Sequence, residues 1–133
     1  MLYQKINNHP ALFAPVEGKW IDKAFEYFKE KNLLYFYTDS HIGKVEDLLI
    51  KKVFFKRKGD KFVNAVAEFV NIINENPTIY RLKDNENVKG KYYYGFKNLK
   101  LIKQPIKLNS LEYFRSEKKL RNDTPGVCLI KEP

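Results

Sequence analysis

The chain has 133 residues, enough for one domain with a real core, and is expected to span 1–133 as a single unit. Its 44% hydrophobic and 15% aromatic content exclude a disordered chain, and one cysteine excludes an internal disulfide. A net charge of +9 implies a polyanionic partner or an anionic surface.

The charge is unevenly placed. Residues 1–40 carry five Lys against five acids, whereas residues 41–133 carry twenty Lys or Arg against eleven and supply the whole excess. Lys far outnumbers Arg, so coding bias in the source is a competing explanation, because Arg is the better reader of base edges. Cys128 lies in an apolar run and reads as a small core residue in a reduced compartment. No stretch has the length of a membrane span, and the N-terminus has no basic-then-apolar signal pattern, so a cytoplasmic protein is expected.

In chain order, Met1 to Pro15 is weakly patterned: a short strand and a packed arm, punctuated by Pro10 and Pro15. Glu17 to Lys31 is a helix, with Trp20, Ile21, Ala24, Phe25 and Phe28 on one face and Asn32 as its stop. Leu33 to Thr38 is a strand. Asp39, Ser40, His41 and Gly43 form a polar loop, with Asp39 or Ser40 capping a short helix through Val45, Leu48 and Leu49. Val53 to Lys58 and Phe62 to Ile73 are strands joined by a hairpin turn at Lys58-Gly59-Asp60-Lys61. Thr78 to Leu82 is a short strand and Lys83 to Lys91 a polar loop. Tyr92 to Lys103 is a basic aromatic strand that Pro105 brings to an end, since proline stands only at an edge or an end of pairing. Asn109 or Ser110 caps a helical turn from Leu111 to Phe114, and Gly126 to Lys131 is a final strand. Five or six strands with few helices predict an α+β fold, a small barrel or strongly bent sheet.

Recognisable reaction chemistry is missing from the pattern. His9, His41 and Cys128 have no metal-ligand spacing. The glycines are isolated, so no phosphate loop is indicated. Asp39, Ser40 and His41 are adjacent on one loop, and neighbours rarely face one another as a triad requires. Glu46-Asp47 and Glu68 lack the partners of a metal-dependent nuclease. No enzyme, no cofactor and no metal are expected.

Three pieces from Lys51 onward resemble the PUA-like superfold, which includes EVE, ASCH and YTH domains. They are Val53-Phe54-Phe55 with its Gly59-Asp60 turn and the strand Phe62 to Val70; Tyr92-Tyr93-Tyr94-Gly95-Phe96 continuing as Leu99-Lys100-Leu101-Ile102; and Lys103-Gln104-Pro105-Ile106-Lys107-Leu108 followed by Ser110-Leu111. With the Leu33 strand they cover roughly two-thirds of the chain. The resemblance implies a PUA-like β-barrel of five to six strands flanked by two or three helices. It also implies a nucleic-acid binder, DNA more than RNA, that holds a flipped, modified base in an aromatic pocket beside a basic groove. Some such domains are N-terminal specificity modules of modification-dependent restriction systems, fused to further domains in a longer chain. Two departures keep the ligand from being carried over. Trp20 is the lone tryptophan, and Phe54 and Phe55 stand after Lys52 where the YTH pocket uses tryptophans.

The expected pocket comprises Trp20, Tyr37, His41 and Tyr94, with Asp39 and Ser40 at a base edge or, alternatively, as a helix cap. Strand alternation sets Tyr92 and Tyr94 on one face and Tyr93 on the other, so at least one is structural. The expected phosphate track comprises Lys56, Arg57, Lys58, Lys97, Lys100 and Lys103, with Arg81, Lys89 and Lys91 flanking it. Lys97 is opposite in parity to Lys100, so a shared face needs a bulge. For each of these a plain solvated face is the alternative, and for the chain as a whole the alternative is a protein-interaction domain using the aromatic surface.

Overall fold

In the computed structural model the described residues are 9–38, 49–75, 92–121 and 126–133, with only the backbone described for Tyr37 and Thr38. The short helix through Val45 and Leu48, the Thr78–Leu82 strand and the loop to Lys91 fall outside them. The elements are β1 (Pro10–Val16), α1 (Gly18–Tyr27), β2 (Leu34–Thr38), β3 (Lys52–Arg57), β4 (Phe62–Ile73), β5 (Tyr92–Lys107), a 3₁₀ turn (Leu108–Ser110) and β6 (Cys128–Lys131). The fold is α+β: one six-stranded mixed sheet in the order β2-β5-β4-β3-β1-β6 with one helix. Only β1 and β3 run parallel; the other neighbours are antiparallel. Among the described residues no helix is long and apolar enough to cross a membrane.

The short strand expected near the N-terminus is β1, Pro10–Val16, and it lies between β3 and β6. Its prolines are tolerated for a geometric reason. Val16 accepts from Lys58 N (2.8 Å), so even-numbered residues of β1 turn their backbone groups to β3 and odd-numbered ones to β6. Pro10 therefore faces β3, whose ladder begins only at Leu12, and Pro15 faces β6, whose ladder ends at Phe13. Neither missing N–H interrupts a ladder.

Both faces of the sheet bury apolar side chains. On the first, Leu12, Ala14, Val53, Phe55, Ala65, Ala67, Tyr94 and Phe96 pack beneath Ile21 and Ala24 of α1. On the second, Phe13, Phe54, Val63 and Ile130 meet Leu108, Leu111 and Leu120 from the chain after β5. Each fully buried aromatic here is worth about 1.5–3 kcal/mol by transfer. Helix α1 is shorter than its apolar periodicity suggests. Lys29 N and Glu30 N bond back three residues, to Glu26 O and Tyr27 O, which tightens its last turn. Glu17 is its N-cap rather than a first-turn residue, and Asn32 bonds to Asn98 instead of stopping the helix.

Strand β5 departs most from expectation. It runs past Pro105 to Lys107, and three slips in its pairing with β4 make this possible. Val63 and Ala65 face Ile106 and Leu101, so two steps on β4 match five on β5, and the slack takes up Pro105. Glu68 and Val66 face Lys97 and Lys100, which leaves an extra residue near Asn98; Asn98 adopts φ 54°, the left-handed region in which Asn is favoured. Asn32 Nδ2 donates to Asn98 Oδ1 (2.7 Å) and Asn98 N donates to Asn32 Oδ1 (2.9 Å), fixing the bulge to the segment between α1 and β2. The third slip lies between Phe69 and Asn71, opposite Phe96 and Gly95. The expected helical turn at Leu111–Phe114 is absent: the turn is 3₁₀ and comes earlier, over Leu108–Ser110, and Leu111 is extended. Glu112–Phe114 instead borders the outer edge of β6, because Phe114 N reaches Leu129 O (3.1 Å) and Lys131 N reaches Glu112 O (3.0 Å).

Gly95 marks the closest approach in β5. A Cβ there would sit 2.6 Å from Tyr35 Cε1 and 2.9 Å from Asn71 Oδ1, and the Tyr35 hydroxyl donates to that same Asn71 oxygen at 2.7 Å. The ring is buried and tethered, so it cannot swing clear. Gly95→Ala is expected to destabilise the fold by about 1–3 kcal/mol, the usual range for overpacking. Thermal denaturation checks it, with partial recovery when Tyr35→Leu is added.

Candidate nucleic-acid interface

The first-face aromatics form a closed cluster. Trp20 meets Phe55 and Phe96 at centroid separations of 5.9 Å each and Phe36 edge-on at 6.2 Å. Tyr94 is fully buried and stacked on Phe36 at 5.4 Å. Two of the expected pocket residues therefore share one neighbour, Phe36, inside the core. Trp20 keeps a partly exposed edge, whereas Tyr94 is a structural ring. Tyr92 and Tyr94 turn to the first cluster, as alternation requires. The backbone of Tyr37 pairs with Tyr93. Asp39, Ser40, His41 and Arg81 lie outside the described residues, as do Lys89 and Lys91.

The expected phosphate track divides into three kinds of lysine or arginine. Lys56 is only 3% exposed, and its ammonium donates to Arg57 O (2.9 Å) and Asp60 O (2.8 Å), stapling the turn in which Gly59 supplies φ 92°. Burial holds its pKa below the ordinary lysine value, with the nearby Asp60 carboxylate opposing that shift. An ammonium committed to two carbonyls inside the hairpin is not presented to a phosphate. Arg57 and Lys58 are directed to α1 and its cap: Arg57 pairs with Asp22 (2.8 Å) and Lys58 with Glu17 (3.1 Å). Lys97 stands 3.9 Å from Glu68 across the strands, a solvated pair of small energetic weight.

Lys100 and Lys103 are different. Both are exposed, and no ion pair among the described residues engages them. They flank Ile102, which turns to the second cluster, and Leu101, which is 65% exposed. The bulge at Asn98 shifts the parity between Lys97 and Lys100, so those two can share a face, whereas Lys103 is opposite in parity to Lys100 and Ile102.

Further along this arm lies a cleft of ≈ 220 Å³ lined by Lys61, Phe62, Lys107 and Asn109. Sequence reading missed these residues. Phe62 was legible only as the start of β4, and Lys107 faces it because β5 continues beyond Pro105. The one signal was an aromatic between Lys61 and the core residue Val63 directly after a tight turn.

Among the described residues, His, Cys, Asp and Glu form no group of three fit to hold a metal. Burial pushes the Cys128 thiol up to about 11, the reverse of an activated nucleophile. No protein-family model and no curated protein matches this chain.

Two outcomes follow from these placements. Lys56→Gln is expected to cost about 1–3 kcal/mol by removing the two ammonium bonds that close the turn, whereas Lys100→Gln stays within about 0.5 kcal/mol; paired denaturant melts check the contrast. Cys128 in the native protein is expected to react with iodoacetamide at neutral pH far more slowly than in denaturant. Because folding raises this pKa, the protonated thiol adds stability that is intact at neutral pH and fades as pH rises toward 11; the stability gap to Cys128→Ala should shrink over that rise.

Proposed function

We propose that this chain is a nucleic-acid-binding module on a PUA-like framework, a reader of DNA rather than a catalyst. The observation that carries the reading is the basic arm of β4 and β5. Lys103 projects by alternation from the face that carries Phe62 and Lys107, and Lys100 from the opposite one, without ion pairs among the described residues, on a chain of net charge +9. Cations left unneutralised by their own protein are the ones that displace counterions from a phosphate backbone.

The barrel part of the reading is supported by the way the chain wraps the second cluster. After β5 it turns through Leu108–Ser110 and lays Glu112–Phe114 along β6, at the far side of the sheet order. The base-holding part belongs to the half-buried Trp20, together with Tyr37, Asp39, Ser40 and His41, with Tyr94 as support from within the core. A flipped base costs a few kcal/mol of unstacking, which an aromatic wall offsets.

A second reading, a protein-interaction domain, draws on the exposed Leu101 and Phe62 of the same arm, at 65% and 41% exposure. Binding to oligonucleotides separates the two. The double variant Lys100→Glu with Lys103→Glu is expected to weaken duplex binding at least tenfold at low salt and to flatten the log–log salt slope by about 2, one phosphate contact per lysine. Equal affinity and slope in wild type and variant would remove the track. Modified and unmodified duplexes compared in the same titration test the base pocket. Failure of the wild type to bind any oligonucleotide at low salt favours the protein partner.

A further inference from the structure

The cleft at the turn end of β4 and β5 is built unlike a solvated strand end. Alternation sends Val63 and its partner Ile106 to the second cluster, so Phe62 and its partner Lys107 turn outward together. Phe62 is 41% exposed. Its surroundings are held by the backbone. Leu108 N donates to Lys61 O at 2.9 Å, which fixes Lys61 against the 3₁₀ turn, and Ser110 Oγ donates to Lys107 O at 2.7 Å. Leu108 is fully buried and anchors the turn, while Asn109 is exposed at its crest. Among the described residues no ion pair engages Lys61 or Lys107.

We infer that this cleft is a stacking site for single-stranded nucleic acid, an inference that rests on the nucleic-acid reading above. An unpaired base lies against the Phe62 ring, Lys61 and Lys107 take the phosphates on either side, and the Asn109 amide offers both a donor and an acceptor to the base edge. The volume of ≈ 220 Å³ is below the roughly 300–1,000 Å³ of pockets for drug-sized ligands, so it suits one planar group rather than an elaborate small molecule. A duplex keeps its base faces stacked inside the helix and presents none to Phe62. The site therefore selects single strands, while Lys100 and Lys103 serve single and double strands alike.

The test is fluorescence anisotropy with short labelled oligonucleotides: a single-stranded DNA, the matching RNA and the DNA duplex. Phe62→Ala is expected to weaken single-strand binding roughly 5- to 100-fold, the range for loss of one stacked base, and to leave duplex affinity unchanged. Phe62→Trp is expected to retain binding, with its added indole emission quenched by the oligonucleotide beyond any change seen in wild type. The stronger of the DNA and RNA arms identifies the strand taken. Wild-type single-strand binding that survives Phe62→Ala, or a Phe62→Trp indole left unquenched, overturns the stacking site while leaving the nucleic-acid reading in place. A wild type that binds no oligonucleotide at low salt overturns both. Thermal melts of the two variants beside wild type confirm that each is folded.

Discussion

The pairing of β4 with β5 is the constraint on which the rest of the molecule depends. One strand serves two hydrophobic clusters on opposite faces: Tyr94 and Phe96 belong to the first, Ile102 and Ile106 to the second. These four residues share one parity, and an unbroken register would turn them all to the same face. The register slips at Val63/Ala65, Val66/Glu68 and Phe69/Asn71 let the sheet change face and curl. Val63 and Ala65 have the same parity, yet the slip between them sends one to each cluster. Two small features sustain the distortion. Gly95 gives the Tyr35 ring room, and Asn98 accepts the left-handed backbone while its side chain is tied to Asn32.

The fold also sorts the cations. A lysine on β3 is drawn into the hairpin, where carbonyls replace water around the ammonium of Lys56. Arg57 and Lys58, next along, neutralise Asp22 and Glu17 at the start of α1. These contacts link α1 to the end of β3 and engage three cations that composition alone counts toward a polyanion. Of the track expected from the sequence, the lysines without an ion pair among the described residues lie on the later half of β5. Lys100 and Lys103 project from the strand, and Lys107 stands opposite Phe62. The expected track is therefore narrower than a count of its residues suggests.

Much of the framework was legible in the sequence. Phe62–Ile73 is bounded as its β-branched content implies, the Gly59 turn is where a hairpin was expected, and the apolar face of α1 is the one that packs. The misreadings share one origin. Pro10 and Pro15 looked like punctuation, and Pro105 looked like an end, because proline's missing N–H is a defect only where a neighbour needs it. Tyr94 looked available because its sequence context is polar and basic, although it lies under α1. Lys56 looked like its neighbours because nothing local reveals that two carbonyls will converge on its ammonium.

The sequence by itself determined the class of fold, the main strands and helix, the hairpin, and the surplus of positive charge, since each follows from local periodicity, turn chemistry or counting. Tertiary structure decided which neighbour each strand received, where β5 slipped against β4, and hence which rings were buried and which lysines remained unpaired. Those outcomes depend on contacts between residues far apart in the chain, such as Asn32 with Asn98, Asp22 with Arg57 and Phe62 with Lys107. A linear pattern fixes the face a side chain takes only within an unbroken register. Where the register slips, the partner strand decides.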